Sequence, residues 1–128
     1  AGSVLKENIR IADDVRTNAF SASDHDFIRR LRSAINAAIK VPCTGCGYCQ
    51  PCPKGIDIPE IFQAYTYHNV YGLSDLAKKS YLGYVNNEKQ PGATSKDCVN
   101  CGYCEKKCPQ HLKVRELLKK VEETLNNL

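Results

Sequence analysis

Eight cysteines in 128 residues fall into two groups of the same design, and that duplication constrains the chain more than any other feature. The first group runs Cys43-Thr44-Gly45-Cys46-Gly47-Tyr48-Cys49-Gln50-Pro51-Cys52-Pro53, the second Cys98-Val99-Asn100-Cys101-Gly102-Tyr103-Cys104-Glu105-Lys106-Lys107-Cys108-Pro109. Both contain C-x-x-C-G-Y-C and both close on Cys-Pro, so one loop occurs twice around a long insert, and pseudo-twofold symmetry is expected. This is far more thiol than a small core uses as apolar filler. Either the cysteines form the disulfide framework of a secreted domain, or they are thiolates holding metal in a reducing compartment. Adjacent C-x-x-C steps would force strained local bridges. No charged region followed by an apolar one opens the chain as a secretory signal would. The expectation is a metal-binding chain of the cytoplasm.

The spacing suits a cluster of four irons and four sulfides. Two-residue gaps let successive sulfurs converge from one compact turn and free backbone amides to point at the cluster. Gly45, Gly47 and Gly102 can adopt positive φ and place no side chain between backbone and cluster. Pro53 and Pro109 fix φ, donate no hydrogen bond and turn the chain away. The second group resembles, letter for letter, the bacterial ferredoxin run C-x2-C-x2-C-x3-C-P, in which the fourth cysteine serves the other cluster. The first group departs from it by one residue, with two rather than three between Cys49 and Cys52. That resemblance implies two 4Fe-4S clusters, one held by Cys43, Cys46, Cys49 and Cys108, the other by Cys98, Cys101, Cys104 and Cys52. The formal charge of +4 would roughly offset two oxidised four-thiolate clusters. Structural zinc is the alternative, although zinc sites usually draw C-x-x-C pairs from separate segments rather than three cysteines in tandem.

Apolar periodicity predicts helices around these loops. Val4 to Phe20 reads as an arm or linker with a brief apolar pattern at Val4, Leu5, Ile9 and Ile11. Residues 21–128 read as one helical domain. A first helix over about Ser23 to Lys40 carries Phe27, Ile28, Leu31, Ala34, Ile35, Ala38 and Ile39 on one face and stops at Pro42. A second has Pro59 in its first turn and an Ile61, Phe62, Tyr65, His68 stripe ending at Gly72. A third is capped by Ser74, with Leu76, Ala77, Ser80, Tyr81, Tyr84 and Val85 inward, and ends at Pro91-Gly92. A fourth bears Val114, Leu117, Leu118, Val121 and Leu125. No stretch alternates as a strand would, so the fold class is all-α. No apolar run is long enough to span a bilayer, which excludes a transmembrane role.

Paired motifs around a long helical insert resemble α-helical ferredoxin domains. The stretches Glu7-Asn8-Ile9-Arg10-Ile11-Ala12-Asp13 and Val41-Pro42-Cys43 through Pro53-Lys54-Gly55-Ile56-Asp57-Ile58-Pro59 are similar to the C-terminal region of aldo/keto reductase family proteins with a ferredoxin-type extension. The two-residue gap between Cys49 and Cys52 is that group's habit. The resemblance covers nearly the whole chain and would make Ala1-Gly2-Ser3 a cloning remnant. It implies an oxidoreductase parent whose upstream (β/α)8 barrel binds a nicotinamide cofactor, and an electron-carrying module with that barrel and a redox protein or cofactor as partners. Nothing here has room for such a barrel, so no catalytic residue is assigned.

The remaining residues carry less. Lys106 and Lys107, inside the second loop, would favour a more negative reduced cluster and attract an acidic partner, or form a solvated pair. Arg29, Arg30 and Arg32, like Lys119 and Lys120, read as polar helix faces, which argues against nucleic-acid binding. Tyr48 and Tyr103 occupy matching places and are expected to shield the clusters. His25, His68 and His111 each stand alone as ordinary surface histidines. The expected function is one-electron transfer, against a zinc-stabilised interaction module or an iron-sulfur redox sensor.

Overall fold

The computed structural model describes residues 2–16 and 19–128; Ala1, Thr17 and Asn18, which belong to the expected arm, lie outside them. Among the described residues all regular structure is helical: α1 (Gly2–Asp14), α2 (Ala22–Ala38), α3 (Ile58–Asn69), α4 (Ser74–Val85), a 3-10 turn (Ser95–Asp97), α5 (Tyr103–Lys107) and α6 (Val114–Asn126). The all-α expectation holds. None of these helices is long and apolar enough to cross a membrane. Contacts divide the chain into two compact units, Ala1–Asn36 and Ala37–Leu128, with the division inside α2.

In the first unit the segment read as an arm contains a thirteen-residue helix, α1. Leu5, Ile9 and Ala12 recur at helical spacing, a stripe too short to stand out beside the longer ones. α2 starts with a reciprocal cap: the Ser21 amide donates to Asp24 Oδ2 (2.8 Å) and the Asp24 amide donates to Ser21 Oγ (3.2 Å). Its apolar face is uncovered: Phe27, Ile28, Leu31 and Ile35 are all exposed and α2 buries no residue.

The second unit is built on α3, α4 and α6. α3 begins where Asp57 accepts from the Glu60 amide (3.1 Å), with Pro59 in the first turn. It buries Ile58, Ile61, Phe62 and Ala64. α6 buries Val114, Leu118, Val121 and Leu125, a spacing that keeps one stripe facing inward. α4 adds Ala77 and Tyr81. Ser74 is not the cap of α4, since Leu73 holds that position and Ser74 is the first helical residue. Its hydroxyl is engaged instead by His68 Nδ1 (2.9 Å), which ties the end of α3 to the start of α4.

The repeat extends beyond the cysteines. In both copies the second residue after Cys-Pro has positive φ (Gly55 71°, His111 51°), and its amide donates to the carbonyl of the last cysteine, Gly55 to Cys52 (2.9 Å) and His111 to Cys108 (3.1 Å). Three residues further on, a buried aliphatic, Ile58 or Val114, opens the following helix. Each loop is thus followed by the same turn and a helix presenting the same face. One fold of loop occurs twice in the unit.

Candidate metal centre

The two loops adopt the backbone their glycines allow. Gly45, Gly47 and Gly102 have φ of 67°, 76° and 72°. Asn100, in the place of Gly45, also has positive φ (56°), a conformation asparagine tolerates better than most residues. The loops differ at their ends. Cys104 to Lys107 is wound into α5, which Cys108 ends in extended conformation, with the Lys106 amide donating to Gly102 O (3.1 Å). Cys49 to Cys52, one residue shorter and containing Pro51, forms no helix. There the Gln50 side chain takes over, accepting from the Cys52 amide (3.0 Å) and donating to Ile56 O (3.0 Å).

All eight cysteines are unbridged. Cys43, Cys46, Cys49 and Cys108 line one cavity, together with Pro59 and Phe62. Cys98, Cys101, Cys104 and Cys52 line a second, and Cys49 lines both. Each loop therefore lends its last cysteine to the cavity of the other. Both cavities abut the core, against which Cys43, Cys49, Cys52, Cys98 and Cys104 pack.

Burial governs the electrostatics. It pushes the Cys49 thiol up to about 11, helped by the neighbouring Cys43, Cys104 and Cys46. Cys43 is raised chiefly by burial and further by Cys46 and Cys108, against a bond its sulfur accepts from the Gly45 amide (3.5 Å). Cys104 is raised for the same first reason. Thiolates crowded in such a site call for compensating positive charge, which bound metal supplies. No three His, Cys, Asp or Glu side chains gather closely enough among the described residues to hold a single metal ion.

Residues 42–113, more than half of the chain, match the family model of the 4Fe-4S dicluster domain. The chain belongs to that family. No curated protein and no solved structure matches it. The donor set fits 4Fe-4S binding in this dicluster domain: eight unbridged thiols, two cavities, and loops whose glycines leave the backbone open to them.

Residues around the cysteines are placed unevenly. Tyr103 lines the Cys98 cavity, with Lys107 Nζ 5.9 Å from its ring centroid, but Tyr48 is 65% exposed and lines neither cavity. His111 serves the turn after Cys108 through its backbone, while its side chain is exposed.

Three supports were not legible as such. Tyr84 accepts from the Asp57 amide (3.0 Å) and donates to Ala93 O (2.7 Å), which joins the exit of the first loop to the approach of the second. Glu122, 4% exposed on α6, accepts from the Ser95 amide (2.8 Å) at the turn leading into Cys98. Glu105 accepts from the Arg115 amide (3.1 Å) and from Arg115 Nη2 (2.7 Å), and these contacts hold its carboxyl below the usual range. Glu105 stands at the place Gln50 takes in the first copy, a correspondence visible in the aligned loops.

Proposed function

We propose that the chain is a one-electron transfer module carrying two 4Fe-4S clusters, one on Cys43, Cys46, Cys49 and Cys108 and the other on Cys98, Cys101, Cys104 and Cys52. The observation that carries this reading is that each proposed ligand set lines its own cavity. When bound, each cluster takes up and releases a single electron. The chain's own part is to hold the thiolates, exclude water from the inner side with Ile58, Phe62 and Leu118, and fix both loops on one core. The shared wall at Cys49 keeps the two sites adjacent, which suits passage of an electron from one to the other.

The similarity of the chain to the ferredoxin-type extension of aldo/keto reductases suggests a parent oxidoreductase, in which this module exchanges electrons with a reductase barrel. The exposed apolar residues of α1 and α2 support a partner there, since apolar side chains in such number usually meet another surface. The expected setting is the cytoplasm.

Anaerobically prepared protein tests the reading. It should be brown, absorb broadly near about 400 nm, contain about eight irons and eight sulfides, and undergo reversible one-electron reduction. A colourless protein with two tightly held zinc ions after anaerobic reconstitution would defeat it, and a cluster that breaks down on each reduction would favour a sensor. The chain by itself should not reduce a carbonyl compound with a nicotinamide cofactor.

A further inference from the structure

The two copies are unequal at one position beside the cavities. Pro59 in α3 and Arg115 in α6 each follow the buried aliphatic that opens the helix, and each lines the cavity of the loop it packs on. Pro59 offers neither charge nor N–H. Arg115 offers both. Its Nη2 lies 2.7 Å from Glu105 Oε2 and its Nη1 donates to Asn100 O at 3.0 Å. Its guanidinium lies over Gly102, where an added Cβ would sit 3.8 Å from Cζ. The third nitrogen, Nε, is buried and has no hydrogen-bond partner among the described residues. A buried donor without an acceptor is costly; Arg115 borders both the Cys98 cavity and an open surface groove with Asn100, Glu105 and Lys113, and of the two the Cys98 cavity is the one lined by thiols.

We propose that Arg115 Nε donates its hydrogen to a sulfur of the cluster in the Cys98 cavity and makes that cluster the easier of the two to reduce. This rests on the cluster reading of the cavities. Reduction adds one electron, delivered by a one-electron donor, and moves no proton. The reduced cluster is the more negative, so a directed N–H stabilises it over the oxidised form. Glu105 balances the guanidinium charge, so the effect lies in the aimed N–H rather than in a net positive charge. Pro59, at the matching position, brings no such donor to the Cys43 cavity, whose polar lining side chains, Thr44 and Gln110, are neutral and so weaker donors than a guanidinium N–H; an electron entering the chain rests on the Cys98 side.

The test is a mediated redox titration of cluster-loaded full chain, followed by electron paramagnetic resonance, with iron and sulfide measured on every sample. The double variant Glu105→Gln/Arg115→Met removes the ion pair as a neutral unit together with Nε. At the parent's midpoint the reduced-to-oxidised ratio of one cluster should fall about tenfold, a shift of about 59 mV for one electron, while the other midpoint stays. Arg115→Lys, which keeps the charge and loses the Nε donor, should move the same midpoint in the same direction, and decides the matter if the double variant does not hold its clusters. Full clusters with unchanged midpoints, or both midpoints moving together, overturn the role of Arg115 and leave the cluster reading intact. A parent protein that binds no iron overturns both.

Discussion

Gly92 is the position at which the smallest change should have the largest effect. A Cβ there would lie 2.4 Å from Tyr84 Cζ and 2.6 Å from Cε1 and Cε2, so the ring must move. Its hydroxyl holds the Asp57 amide and the Ala93 carbonyl, and the Gly92 amide itself donates to Tyr84 O (3.0 Å). Displacing the ring loosens two hydrogen bonds worth about 1 kcal/mol each, and the overlap adds about 1–2 kcal/mol. Gly92→Ala should therefore cost about 3–4 kcal/mol. Hydrogen exchange of α3 and α6 amides on anaerobic, cluster-loaded protein reads this without a reversible global transition, as a fall in protection of roughly 150- to 700-fold for amides that exchange through global opening. The cost should nearly vanish in a Tyr84→Ala background, where the added methyl meets no ring. Gly92→Ala within about 0.5 kcal/mol of the parent, or a penalty undiminished when Tyr84 is alanine, would refute the reasoning.

Three further outcomes are expected. Cys52→Ser should damage the cluster of the Cys98 loop and Cys108→Ser that of the Cys43 loop, as read by site-resolved spectroscopy; damage confined to the mutated residue's own loop would remove the crossed assignment. Glu122→Ala should cost about 1–3 kcal/mol, because the half-buried Ser95 amide loses its charged acceptor, and should speed chelator-driven loss of iron from the Cys98 side more than from the other. The lowered carboxyl of Glu105 contributes stability that is fully present above the ordinary glutamate range of about 4.3 and is lost as pH falls through the lowered folded value. The melting-temperature gap between parent and Glu105→Gln should accordingly narrow from about pH 7 to about pH 3, and a gap independent of pH would speak against the ion pair.

Much of this was legible because cysteine spacing and helical periodicity are local. The two loops, the positive-φ glycines, and the buried stripes of α3 and α6 follow from residues close in sequence. The repeat, however, includes positions whose letters differ: Asn100 stands for Gly45 inside the loop and His111 for Gly55 past it, and their shared positive φ shows that the match is one of conformation. α1 was hidden because its stripe is short. The apolar face of α2 is legible but its exposure is not, because periodicity reports amphipathicity and not what covers it. Tyr84, Glu122 and Arg115 act across long sequence separations, and an isolated tyrosine, glutamate or arginine carries no mark of its partner.

Under the crossed ligation proposed above, the exchange of last cysteines between the loops also governs when the chain can mature. The Cys43 cavity lacks a wall until Cys108 has been synthesised, and the Cys98 cavity uses Cys52 from a loop made long before. Neither compartment can close around a guest while the first half of the polypeptide stands alone. Loading in two separate stages, one per loop, is thereby disfavoured, and a nascent chain arrested before Cys108 exposes all four thiols of the first loop to oxidation with no complete pocket to protect them.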